Sequence, residues 1–459
     1  MKARWTVIIL VSILISCSNN STHEKTLHSV NTIATPQAKT QLNFVGHWLY
    51  QAKREDLVRE IANEFEFLNQ NCKVNLKFPE EIYYSRDKAD CEEEFVSKQL
   101  LSDKPTFDIL RINDAYLKIA LYMKDMDWPK KYLVDFSQYS EFIKNTLPNL
   151  VNDEAKAKWK GIIPGPSLEG YNYSIWYNKA LAKEMGIEIK QFGMTFNDLL
   201  QYIKSIDTYN KSHKTNITPI QECGDWSTIN IIGLRLYLSE LGDLEEGLKD
   251  SYNEKKLSAF YKTLQAFEEL SKYNAYSKSW KDNTFMKTVD FPLTHKCFFY
   301  VNASWMYNYW QKVDNGQLVN MIPCELPVFK PCDVYFGGYS VMWAVPKNAP
   351  HKEEAIKFIL FMTNPDVAEK WNRYTKCPTG LKGNITSVSL GNDHFEEFTS
   401  TINSKYGSRK LSFNILDNNL VLGISRQNVK LHSIDVATGI MTADEGIADI
   451  RKQLKNYKQ

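Results

Sequence analysis

An α/β fold divided into two domains is what the sequence predicts, on three observations. The chain has 459 residues, more than one hydrophobic core usually serves. From Leu42 onward, short apolar strands alternate with amphipathic helices, the order that builds a mostly parallel sheet with helices on its faces. Regularity then breaks after Lys160, at Gly161-Ile162-Ile163-Pro164-Gly165-Pro166, before a second series of strands and helices.

The residues ahead of this body form no part of it. Lys2 and Arg4 precede an apolar run, Trp5 to Ile15, that is too short to span a bilayer comfortably and closes on Leu14-Ile15-Ser16-Cys17. This is an export signal, and LISC resembles the bacterial lipobox, whose cysteine is acylated and becomes the first mature residue. A plain signal peptide ending near a cysteine is the other reading. Several acyl chains on Cys17 would hold the protein stably at a membrane. Residues 18–40 are polar, without helical or strand periodicity, and read as a tether. No later segment is apolar enough to span a membrane.

Within the body, Leu42 to Trp48 is a strand that breaks at Gly46. Leu57, Ile61, Phe65 and Leu68 then recur at helical spacing. Cys72 to Phe78 alternates apolar with polar, and Phe107 to Ile112 is the next strand. Past the break, Tyr173 to Tyr177 is a strand, and Asn178-Lys179 leads into a helix ending at Gly186. Thr195 with Asp198 forms a capping box for the helix of Leu199, Leu200 and Ile203. Glu254 to Tyr273 is an amphipathic helix, and Lys296 to Val301 a buried strand. Val334 to Lys347 (VYFGGYSVMWAVPK) reads as a strand interrupted by Gly337 and Gly338. His351 to Met362 is a helix, and Asn364-Pro365 is the N-cap and first residue of another. Beyond Asn384 periodicity weakens, and no element is placed there.

Composition excludes several functions. With 56 basic and 54 acidic residues the formal net charge is +2, which implies no nucleic-acid partner. No G-x-S-x-G, H-E-x-x-H or phosphate loop is present, and scattered histidines with no CxxC pair argue against a metal or cofactor. An enzyme is therefore not expected. Of eight cysteines, Cys17 lies in the leader. The remaining odd number predicts a free thiol, with Cys324–Cys332 and then Cys72–Cys91 as expected disulfides. The 25 Tyr, 23 Phe and 11 Trp supply flat apolar faces of the kind that sugars stack on.

The order of motifs is similar to that of the extracellular solute-binding proteins of sugar ABC transporters. Ser174-Ile175-Trp176-Tyr177-Asn178-Lys179, then Gly186-Ile187, then Thr195-Phe196-Asn197-Asp198 resemble the family's strand, helix and helix-start segments. Phe299 to Trp305 resembles its apolar strand leading to a tryptophan. Gly337-Gly338-Tyr339-Ser340, Val345-Pro346-Lys347, the Ala355 to Phe361 helix, Asn364-Pro365 and Cys377-Pro378-Thr379 follow in the family's order.

The resemblance implies a periplasmic-binding-protein-like fold, two α/β lobes joined by a multi-crossing hinge around a ligand cleft. Residues 41–160 with 338–376 would form lobe 1, and residues 161–337 with 377–459 lobe 2. Gly337 and Gly338 would be hinge residues by their dihedral freedom. In such folds ligands bind outside the carboxyl ends of strands. That rule and the family positions together select Trp48, Glu81, Asp114, Tyr171, Trp226, Trp305 and Tyr339 as ligand-binding residues. A solvated loop acid or a helix cap is the other reading of Glu81 and Asp114. Trp176 and Trp343 lie within strands and are expected in the core. The implied protein is a monomeric substrate-binding lipoprotein on the outer side of a bacterial membrane. It would capture a mono- or oligosaccharide and deliver it to an ABC permease. A surface glycan-capturing lipoprotein without a permease is the alternative, and a carbohydrate-active enzyme a weaker one.

Overall fold

β1 (Thr40–Val45) turns Leu42 and Phe44 inward, as a strand's period of two requires. The computed structural model describes residues 39–46, 52–77, 91–112, 115–224, 231–243, 253–382, 394–406, 410–411 and 430–456. β1 connects through α1 (Ala52–Leu68), which buries Leu57, Ile61 and Phe65, to the parallel β2 (Cys72–Lys77). α2 (Cys91–Leu101) leads to β3 (Leu110–Arg111), which lies beside β1 through a parallel Phe44–Ile109 bridge. α3 (Tyr116–Met123) follows.

β4 (Glu169–Asn178) is the axis of the second sheet. β5 (Thr218–Gln221) pairs in parallel with β6 (Cys297–Ala303), whereas β6 runs antiparallel to β4. β7 (Met321–Cys324) and β8 (Tyr335–Ser340) also run antiparallel to β4, and β9 (Trp343–Ala344) runs antiparallel to β3. β10 (Lys410–Leu411) pairs in parallel with β8. The expected mostly parallel sheet is therefore mixed. β4 leaves one core for the other and β8 returns alongside it, so the two must be antiparallel.

The helices that cover this sheet begin where capping chemistry places them. Asn178 caps α4 (Lys179–Glu184), and Thr195 with Asp198 forms a reciprocal capping box on α5 (Phe196–His213). α6 (Ile231–Leu241), α7 (Glu254–Ser271) and α8 (Met306–Val313) follow. α9 (Lys352–Phe361) and α10 (Pro365–Thr375) return to the β1 side, with Asn364 as N-cap and Pro365 at N1. Past Asn384, where the sequence suggested no element, α11 (His394–Tyr406) buries Phe398 and Ile402, and α12 (Ala443–Asn456) buries Ile447, Ile450 and Leu454.

Two sets of apolar packing result. Phe44 sits edge-on to Trp343 and Phe358, with ring centroids 5.2 and 5.7 Å away, and Trp371 packs against Trp343. In the second set one face of β4 and β6 packs Ile175 and Val301 against Ile203, Phe260 and Phe267. The other face sets Trp176 edge-on to Trp310 at 5.1 Å and 89°. Trp176 and Trp343 are core residues, as expected. Ile163, Leu168 and Leu381 pack in the first set. The chain therefore changes cores at β4 rather than at Lys160, and Pro378 to Leu381 still lie on the first side.

Neither expected disulfide forms. Cys324 is a buried thiol opposite Ile175, Cys332 donates to the Val334 carbonyl at 3.8 Å, and Cys72 is likewise free. Burial pushes the Cys324 thiol well up, so it stays protonated packing volume. Among the described residues no helix is long and apolar enough to cross a membrane.

Candidate functional site

The two cores meet at a ribbon of two strands. Glu169 to Asn172 of β4 pair with Ser340 to Gly337 of β8. Alongside, the Gly170 N–H donates to the Pro378 carbonyl and the Gly380 N–H to Ser167, both at 2.7 Å. Gly337 and Gly338 lie within regular strand, and neither adopts the left-handed backbone that only glycine tolerates well. The hinge expectation is corrected in its reason. A Cβ on Gly337 would stand 2.4 Å from the Tyr171 carbonyl oxygen, so close approach of the strands excludes a side chain.

Trp305 follows the carboxyl end of β6 and is half-buried. Its ring lies 5.3 Å from that of Tyr171 and 5.7 Å from that of Tyr173. Tyr171 is only 8% exposed, so it backs the tryptophan more than it presents a face of its own. Tyr339 stands opposite Gly170, on the other face of the ribbon from Tyr171, and does not join this group. Burial pushes its phenol up to about 12. The Lys410 ammonium lies 5.5 Å over its ring and is itself pulled down by burial to about 7.

The sequence reading missed a polar hub at the same junction. Arg54, in the first turn of α1 and 1% exposed, pairs with Glu169 at the start of β4. Its Nη2 also reaches Cys377 Sγ at 3.6 Å, Cys377 Sγ reaches Ser304 Oγ at 3.5 Å, and Ser304 Oγ accepts from the Asn172 N–H at 3.2 Å. The hub thus links α1, both neighbouring chain passes and the end of β6. Nearby, Asn308 Nδ2 on α8 donates to the Thr375 carbonyl that ends α10, at 3.0 Å. Arg111, where β3 ends, pairs with Glu92, whose carboxyl burial drives upward.

Glu222 is a second residue that went unrecognised. It directly follows β5, is 4% exposed, and accepts from the Ile232 N–H at 3.4 Å at the start of α6. Among the described residues its Oε2 has no side-chain partner, and burial pushes the carboxyl up to about 8. The strand-end rule could have found it, as the first polar side chain after a strand. Trp48, Glu81, Asp114 and Trp226 lie outside the described residues, as does Cys17. β1, β2 and β3, which lead toward the first three of these, end within three residues of where the sequence places their ends, whereas β5, which leads toward Trp226, was not foreseen. Chemically, the junction offers an aromatic plate beside a hydrogen-bonded hub whose charges, Arg54 and Glu169, are paired with each other. Among the described residues no cluster of His, Cys, Asp or Glu could hold a metal ion.

A family model described as bacterial extracellular solute-binding protein matches residues 95–394. Among solved structures, RafE in complex with raffinose is 16% identical over 90% of this chain and 98% of its own, with a TM-score of 0.62; RafE has also been solved without ligand from Streptococcus pneumoniae. A sugar transporter from Bacillus licheniformis in complex with stachyose is 19% identical, covering 90% of this chain and 99% of that one, with a TM-score of 0.54. Maltose-bound MalE3 of T. maritima is 14% identical, covering 92% and 100%, with a TM-score of 0.62. No curated protein sequence matches. At these identities the likeness is one of fold, two α/β lobes about a cleft.

Proposed function

This chain belongs to the bacterial extracellular solute-binding proteins, and from that premise we propose that it captures a carbohydrate between its lobes for delivery to an ABC permease. The observation that carries the carbohydrate reading is Trp305, half-buried at the end of β6 and backed by Tyr171 at 5.3 Å. A sugar ring has an apolar C–H face that such a plate accepts, and its rim of hydroxyls needs neutral donors and acceptors. That the similar structures hold raffinose, stachyose and maltose supports the same class of ligand. The packing sets support a first lobe of residues 39–168 with 341–381 and a second of residues 171–336 with 394–456. Trp48, Glu81, Asp114 and Trp226 in the strand-end loops would complete the contacts. Acylation of Cys17 would keep the protein at the membrane that holds the permease.

A thermal-shift screen over mono- and oligosaccharides tests this, since a ligand of the folded state alone raises apparent stability. With the ligand in hand, Trp305→Ala should weaken binding more than tenfold in calorimetric titration and leave the melting temperature nearly unchanged. Unaltered affinity in that variant would remove Trp305 from the site. Release of reducing ends from an oligosaccharide by the purified chain would replace the binding reading with an enzymatic one.

A further inference from the structure

Five large apolar side chains stand exposed at one edge of the first lobe, the edge where its strands begin. α1 connects the end of β1 to the start of β2, so its last turn delivers Phe67 and Leu68 there, 79% and 67% exposed. α2 precedes β3 and ends on Leu101, 54% exposed, and the stretch that follows is held beside β1 by Asn43 Nδ2 donating to the Thr106 carbonyl at 2.9 Å. α3 leaves the far end of β3 and runs back, carrying exposed Leu121 and Tyr122 in its last turns. Scattered exposed apolar residues are ordinary, but their collection at one edge marks a contact surface.

The same edge is where residues 1–38 join the body. The Thr40 N–H donates to the Asn71 carbonyl at 2.8 Å, just past the end of α1. We propose that this edge faces the bilayer to which the exported chain is anchored, with Phe67, Leu68, Leu101, Leu121 and Tyr122 resting in the interfacial layer. The proposal depends on the reading that Cys17 is acylated. A groove of about 820 Å³ at Phe67 and Leu68 is lined by Asp56, Glu60, Glu64 and Asp366 with Arg59 among them, an acidic excess that gives anionic lipid no added attraction there, so the contact is apolar.

The test uses the full lipidated chain in phosphatidylcholine vesicles. An environment-sensitive fluorophore is placed on Phe67→Cys, on Leu101→Cys and, as control, on Ile440→Cys, which is exposed in the second lobe. Nitroxide-labelled lipid should quench the first two several-fold more than the third, equally in vesicles with and without anionic lipid. Equal quenching at all three positions overturns the proposal. So does protection of positions 67 and 101 in detergent, because a protein segment would then be covering them. Mass analysis of the mature amino terminus is the separate arm. Acylation without quenching sinks this inference alone, and absence of acylation sinks the anchoring reading together with it.

Discussion

Glu222 and Arg54 are both buried charges in principle, and the structure treats them oppositely. Glu222 has no cationic partner among its described contacts, so burial pushes its carboxyl from an ordinary 4.5 to about 8 and keeps it protonated at neutral pH. Its folded value lies above its unfolded one, so the stability it contributes is complete below about pH 4.5 and is lost as pH rises through 8. Glu222→Gln preserves the acceptor for Ile232 and cannot ionise. Wild type should therefore lose more thermal stability than Glu222→Gln between pH 5 and pH 9, and parallel melting curves across that range would contradict the assignment. Burial lowers the pKa of Arg54 as well, but Arg54 has an ionic partner in Glu169. Arg54→Met should cost about 3–5 kcal/mol in urea unfolding by stranding Glu169, and adding Glu169→Gln should restore a large part of the loss. The place of Trp305 at the end of β6 was legible in the sequence because it follows an apolar run of strand length. Arg54, Glu169 and Cys377 were not, since nothing local says that residues so far apart in sequence share one point in space.

Elements were legible where one face is apolar and the other wet. The period of α1, the capping box of α5 and the N-cap of α10 follow from side chains within a few residues of one another. The orientation of β4 did not, because strand direction is decided by where the chain returns, and β8 returns more than 150 residues later. The helices beyond Asn384 escaped for a related reason: α11 and α12 bury only a few apolar positions each among many polar ones. The pairing of Cys324 with Cys332 failed because β7 turns Cys324 into the sheet while Cys332 points back to its own loop. Gly337 shows how an element constrains one residue. With the Tyr171 carbonyl oxygen 2.4 Å and Asn172 Oδ1 3.0 Å from the position of a Cβ, alanine could be accommodated only by parting β4 from β8. Gly337→Ala should destabilise by about 1–3 kcal/mol, the usual cost of overpacking. Because the ribbon also sets the spacing between the lobes, it should weaken ligand binding. A variant as stable and as tight-binding as wild type would mean that the ribbon yields locally.

At the scale of the molecule, each packing set is complete within its own lobe, and the contacts between them are mostly polar: Arg54 to Glu169, Cys377 to Ser304, Asn308 to Thr375. Interfaces of that kind permit relative motion, whereas a shared apolar core would forbid it. The strands that cross are regular, so any relative motion would be spread as small dihedral changes along β4, β8 and the Pro378 segment rather than held at one glycine. Trp305 and Tyr171 belong to the second lobe, and the ends of β1 and β3 to the first. On the proposed function, a ligand touching both would gain from each only when they approach, which would make the closed form the one it selects. Small-angle scattering should accordingly give a smaller radius of gyration for wild type with saturating sugar than without. Trp305→Ala should show no change at that concentration and recover the compaction when the sugar is raised in proportion to its weakened affinity. A wild-type radius that stays constant while calorimetry reports a filled site would mean that the ligand binds one lobe only, and capture by closure would have to be abandoned.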